Sequence, residues 1–126
     1  MEAKPAVWII DSQQWPRASL RALLIEHGFD AIGFMDLREA LASLNDPNGP
    51  NPHTIVLELH HLSPTEEELD TLTHLPIPLV GIAGAVEMGQ SWVRQVKWAA
   101  LIQRPCSIGQ VADVIEGLLT PSMKRL

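Results

Sequence analysis

Thr54-Ile55-Val56-Leu57-Glu58-Leu59 is the clearest strand in the chain, and it carries a carboxylate, Glu58, near its C-terminal end. Upstream, Ala6-Val7-Trp8-Ile9-Ile10 is a second short apolar run that ends at Asp11-Ser12. Apolar residues at successive positions suit a strand covered on both faces, as in a parallel sheet. Between them, Phe29-Asp30-Ala31-Ile32-Gly33-Phe34 reads as a weaker strand. Downstream, Ile77-Pro78-Leu79-Val80-Gly81-Ile82 has proline near its start, where a strand tolerates it, and Ala99-Ala100-Leu101-Ile102 is a short fifth strand.

Helical patterns separate these runs. After Pro16, which suits a first turn, Leu20, Leu23, Leu24 and His27 recur at helical spacing, and Gly28 is a good stop. Asp36 followed three residues later by Glu39 marks a second helix start, with a stripe of Leu37, Ala40, Leu41 and Leu44. Residues 45–52 hold three prolines, three asparagines and a glycine, so they form a loop of rigid and turn-forming residues. Ser63-Pro64-Thr65-Glu66 reads as a capping box with proline at the first helical position, before Leu69 and Leu72. Residues 91–97 give a short fourth helix with Trp92, Val93 and Val96 apolar. Ser107-Ile108-Gly109-Gln110 caps a fifth, whose Val111, Val114, Ile115, Leu118 and Leu119 keep helical spacing and which Pro121 ends.

Five strands alternating with five helices imply right-handed crossovers and a three-layer α/β fold with a doubly wound parallel sheet. In such sheets a site forms at the carboxyl ends of the strands. The residues there are Asp11, Ser12, Glu58, Ala83, Gly84 and Arg104.

The 126 residues make one domain, with its core over about 6–120. A chain this size buries roughly two thirds of the surface its unfolded form exposes. Hydrophobic residues at 46% and charged residues at 19% exclude a disordered chain. Fifteen acids against nine bases, a net −6, oppose direct nucleic-acid binding and attraction to an anionic membrane. A single cysteine, Cys106, excludes an intrachain disulfide and a multi-cysteine zinc site. The apolar run Ala6–Ile10 is too short for a signal peptide or a membrane span. The expectation is a cytoplasmic acidic domain.

An acid after strand one, an acid after strand three and a basic residue before proline after strand five give the chain a resemblance. Over residues 7–119 it resembles the receiver domain of bacterial response regulators, the flavodoxin-like module of two-component signalling. The resemblance implies a sheet order of 2-1-3-4-5 and a cis Arg104–Pro105 peptide, which proline permits. In that family two adjacent acids hold Mg²⁺, an aspartate accepts phosphate, and a Thr or Ser and a Lys-Pro contact the phosphoryl group. Asp11 matches the first acid, Ser12 replaces the second, and Glu58 takes the phosphoacceptor slot. Ala83 takes the hydroxyl slot, Arg104-Pro105 stands for Lys-Pro, and Leu101 sits where the family has its aromatic switch residue.

These replacements share one chemical direction. Mg²⁺ wants hard oxygen ligands in near-octahedral geometry, and Ser12 removes one carboxylate. Glu58 sets its carboxylate one methylene further out, and small misplacements are costly in phosphoryl transfer. Ala83 cannot donate a hydrogen bond. The expectation is a degenerate receiver: no enzyme, no cofactor, poor Mg²⁺ binding, and action through protein–protein contact. Arg104, which can grip a carboxylate bidentately, is expected to pair with Glu58. At a protein surface such a pair attracts by ~4 kcal/mol before desolvation, and its net worth is much smaller. Two other readings are a phospho-accepting receiver, with Asp11 or Glu58 taking phosphate from a histidine kinase, and a flavodoxin-like ligand-binding domain or enzyme.

The resemblance implies a partner, a kinase or output domain, or a second copy of the chain, on the face of the fourth helix, fifth strand and fifth helix. Trp92, Val96, Trp98 and Leu101 are the interface candidates there. The opposing reading packs both indoles in the core. Trp98 falls where the family usually has a small residue, so packing there must differ. Trp15 is expected to cover the strand-end pocket, and Trp8 to be core. His60-His61 suggest a metal site, but adjacent side chains on an extended chain point opposite ways. His27 and His74 read as helix-end caps, and Cys106 as an inert thiol before the last helix.

Overall fold

The computed structural model describes residues 4–119. In chain order the elements are β1 (Ala6–Ile10), α1 (Gln14–Glu26), β2 (Asp30–Phe34), α2 (Leu37–Leu44), β3 (Thr54–Glu58) and α3 (Glu66–His74). These are followed by β4 (Leu79–Ala83), α4 (Ala85–Met88), α5 (Ser91–Gln95), β5 (Ala100–Gln103) and α6 (Ile108–Leu119). The strands are all parallel, in the order β2-β1-β3-β4-β5. Ile10 pairs with Leu57, and Glu58 with Ile82, so the carboxyl ends align and bring their side chains to one edge.

The pleat sorts the apolar residues into two cores, because successive strand side chains face opposite sides. Trp8, Ile10, Ile55 and Leu57 meet Leu37 and Ala40 of α2, Leu72 of α3 and Val93 of α5. Val7, Ile9, Val56 and Val80 meet Leu20 and Leu24 of α1 and Val111 and Ile115 of α6. Thus α1 and α6 cover one face of the sheet, and α2 to α5 cover the other. No helix among the described residues is long and apolar enough to cross a membrane.

Several helix ends follow the expected chemistry. Asp36 Oδ1 accepts from the Glu39 N–H at 2.8 Å. Ser107 and Gln110 bond reciprocally, at 3.1 and 2.7 Å. Gly28, with φ of +92°, stops the first helix. The third helix departs from expectation: its cap is Thr65, paired reciprocally with Glu68 at 3.1 and 2.9 Å, so Pro64 lies before the helix. β4 starts at Leu79, not Ile77, while the Pro78 carbonyl accepts from the Ile55 N–H and the Thr54 hydroxyl. The stop expected at Pro121 lies outside the described residues.

The fourth helix is corrected most. The chain forms two short helices, α4 and α5, with Gly89 capping the first, so among the described residues six helices rather than five cover the sheet. Trp98 then folds back over the sheet: its Nε1 donates to the Val93 carbonyl at 2.8 Å. Its ring needs the space left by Gly81, where a Cβ would come within 3.1 Å of the indole and 2.7 Å of Leu101 Cδ1. This is the altered packing that a large residue at position 98 demands.

Candidate functional site at the strand ends

Asp11 follows β1, Glu58 ends β3, Ala83 ends β4, and Arg104 follows β5. Parallel pairing carries all four to the same edge, and the Arg104 N–H bonds the Ala83 carbonyl at 2.9 Å. The Arg104–Pro105 peptide is cis. Beside these residues lies a cavity of about 100 Å³ lined in part by Asp11, Ser12, Asp36, Glu58, His60 and His61.

Both oxygens of Glu58 are engaged. Oε2 accepts from Arg104 Nη2 in the expected ion pair, and Oε1 accepts from the His60 backbone N–H at 2.5 Å. The Glu58 side chain is only 8% exposed, whereas that of Arg104 is 42% exposed. Burial pushes the Glu58 carboxyl above its usual range. The His60 N–H and the Arg104 charge pull it back down, Asp11 adds a smaller upward push, and burial prevails. The pair therefore offsets a desolvation cost rather than adding large stability.

The sequence reading overlooked a second carboxylate. Glu87 of α4 is buried, and its Oε1 accepts from the Gly84 N–H at 2.8 Å. Its Oε2 lies 3.6 Å from His60 Nδ1. The Gly84 N–H, aided by His60 and Arg104, holds the Glu87 carboxyl below its usual range, against an opposing push from burial. The signal was present as Gly84-x-x-Glu87, a glutamate at the third helical position reaching back to its own helix start. Arg104 thus pairs with Glu58 at the end of β3 and also acts electrostatically on Glu87 of α4.

Asp11 is less free than its family slot implies. Its Oδ1 accepts from the Gln13 N–H at 2.9 Å, and its carbonyl accepts from Arg17 Nη1 at 2.7 Å. The donor set does not fit Mg²⁺: one carboxylate oxygen is tied to backbone, and both Glu58 oxygens hold other donors. Ala83 is fully buried and offers no hydroxyl.

Other expectations fare unevenly. His61 has φ of +65°, so the chain is not extended there, and the His60 and His61 rings lie side by side with centroids 3.8 Å apart. Even so, no metal-holding group of three or more His, Cys, Asp or Glu occurs among the described residues. Trp15 is 79% exposed and does not line the strand-end cavity, so it does not cover the pocket. Val96 is buried, and Trp92, Trp98 and Leu101 pack at the margin of the core, the two indoles meeting edge-on at 6.5 Å. Trp92 Nε1 donates to Gln90 Oε1 at 2.9 Å. Val96 is therefore a core residue rather than a surface one, and the two indoles are half-buried and anchored rather than projecting. His27 approaches Glu116 on α6 at 2.5 Å, and His74 bonds the Asp70 carbonyl at 2.8 Å within its own helix. Cys106 is half-buried against the α1–α6 core.

No protein-family model matches the chain, and no curated protein does. Solved structures do. A CheY-like response regulator receiver domain from Methanospirillum hungatei JF-1 superposes with a TM-score of 0.76 at 15% identity, covering 98% of this chain and all of that one. The signal receiver domain of a putative Luxo repressor protein from Vibrio parahaemolyticus gives 0.74 at 13% identity, covering 98% and 95%. NtrX from Brucella abortus gives 0.71 at 24% identity; 98% of this chain matches 29% of that longer one. The strand order, the two helical layers and these likenesses define the fold as that of a response regulator receiver domain.

Proposed function

We propose that this chain is a receiver-like signalling module that acts by protein–protein contact and does not run an aspartyl-phosphate switch. The observation that carries the reading is the engagement of both Glu58 oxygens, by Arg104 and by the His60 N–H. In a phospho-accepting pocket that space holds the incoming phosphoryl group and its metal. Here a fixed carboxylate–guanidinium pair occupies it, and the charge is set by sequence rather than by a kinase. The role of the pair is conformational: it joins the end of β3 to the turn after β5. In this reading the chain is not an enzyme and needs no cofactor.

The partner surface in this reading is the α5–β5–α6 side. Support comes from Val86 and Ile108, which are 74% and 41% exposed beside it, and from the half-buried Trp92 and Leu101. The partner is a kinase, an output domain or a second copy of the chain. Incubation with acetyl phosphate and Mg²⁺, read by intact mass, tests the central point. The expected spectrum shows the unmodified chain. A stoichiometric phosphoryl adduct on Glu58 or Asp11 would restore the phospho-accepting reading.

A further inference from the structure

Away from the strand ends, α2 and α3 leave an open groove of about 700 Å³ between them. Leu41, Leu44, Leu75 and Ile77 form its apolar floor, each half-buried against the core. Its walls are helical ridges: Arg38 and Ala42 on α2 with Asn45 at its C-terminal cap, and Glu67 and Thr71 along α3. Residues spaced in this way line one side of a helix, and two such ridges with an apolar floor form a bed for a third helix. Ala42, exposed and small, leaves room for close approach.

Charge selects the occupant. Residues 36–75 hold eight acids and one base, a net of −7, whereas the rest of the chain sums to +1. Three of these acids are used elsewhere: Asp36 caps α2, Glu68 caps α3 and Glu58 pairs with Arg104. The other five are Glu39, Asp46, Glu66, Glu67 and Asp70, borne on α2, on the loop after it and on α3, and all five are exposed. Glu67 and Glu68 line the groove itself, with one base, Arg38, on the α2 side, and Glu66 and Asp70 add charge beside them on α3.

We propose that the α2–α3 groove docks a basic amphipathic helix of a partner protein, its apolar stripe on Leu41, Leu44, Leu75 and Ile77 and its Lys or Arg residues against the Glu66–Asp70 acids. The site is separate from the strand-end pocket and from the α5–β5–α6 side, so it stands or falls independently of the function proposed above. The acidic rim steers the helix in and fixes its placement, and the floor supplies the buried area.

The probe is a fluorescein-labelled 18-residue Leu/Lys peptide with apolar residues at i, i+3, i+4 and i+7. A peptide of the same composition in scrambled order and a Leu/Glu counterpart are the controls. Fluorescence anisotropy is expected to show binding of the patterned basic peptide at least tenfold tighter than of either control. Amide shifts in ¹⁵N spectra are expected to concentrate on α2 and α3. Ala42→Trp, which fills the groove from an exposed position, and Glu67→Lys should each weaken binding at least fivefold with unchanged circular dichroism. Equal binding of the scrambled peptide, shifts centred on α5–β5–α6, or indifference to both variants would overturn the proposal. Concentration-dependent self-association protecting the same amides would assign the groove to a second copy instead.

Discussion

The two helical layers of this protein are built differently. On one face of the sheet, α1 and α6 run for thirteen and twelve residues and bury Leu20, Leu24, Val111, Ala112 and Ile115. On the other, α2, α3, α4 and α5 have eight, nine, four and five residues, and each buries one or two. Short helices leave gaps at their seams, and three distinctive features lie on that side. The α2–α3 groove, the Gly84–Glu87 turn and the Trp98 anchor are all on the short-helix side. The long-helix layer holds the sheet, and the short-helix layer is where the surface has been remodelled.

The largest effect should come from the long-helix layer. Leu24→Ala and Ile115→Ala remove side chains with no exposure, and each is expected to cost about 2–5 kcal/mol in urea unfolding. A loss below about 1 kcal/mol at both positions would show that the two layers share the load more evenly than this account allows. Next comes the short-helix side at the Trp98 anchor. Gly81→Ala sets a methyl against Leu101 and the indole, and should cost about 1–3 kcal/mol. In a double-mutant cycle, Gly81→Ala should cost less in a Trp98→Ala background than alone, because the indole contact is gone while the Leu101 contact stays.

The Glu58–Arg104 pair should show an asymmetry. Arg104→Met leaves a buried carboxylate beside Asp11 without its cation, for an expected loss of about 1–3 kcal/mol. Glu58→Gln removes the desolvated charge while keeping an acceptor for the His60 N–H, and should cost less than about 1 kcal/mol. The reverse ranking would mean that the pair is worth more than its desolvation.

The smallest effects are those of pH. Burial raises the folded-state pKa of Glu58, so ionising it opposes folding. Its contribution is therefore full below the unfolded-state value and is lost as pH rises through the folded-state value. Glu87 has the opposite sign: its lowered folded-state pKa adds stability above the unfolded-state value, lost as pH falls through the folded-state one. Carboxyl ¹³C shifts should accordingly place Glu58 above and Glu87 below the ordinary glutamate midpoint. If both moved in one direction, the electrostatic picture of the strand ends would need rebuilding.

Much of this architecture was legible in the sequence because its signals were local. Apolar runs marked five strands, and Asp36–Glu39 and Ser107–Gln110 marked helix starts whose bonds form as read. The acid at Glu58 and the cation at Arg104 stood at strand ends, so parallel pairing alone brings them together. What escaped depended on backbone detail or on partners distant in sequence. The four-residue α4 is shorter than any periodic window, and Glu87 was overlooked with it. The positive φ of His61 has no marker in a His-His pair, so the side-by-side rings were unexpected. The tolerance for Trp98 is written at Gly81, seventeen residues earlier and on β4.

The central claim is that Glu58 is held by Arg104 where a phosphoryl switch would act. A crystal structure grown with Mg²⁺ and beryllofluoride tests it most directly. The account predicts Glu58 still bonded to Arg104 and to the His60 N–H, with neither ion in the pocket. Beryllofluoride on the Glu58 carboxylate, or Mg²⁺ bridging Asp11 and Glu58, would contradict it.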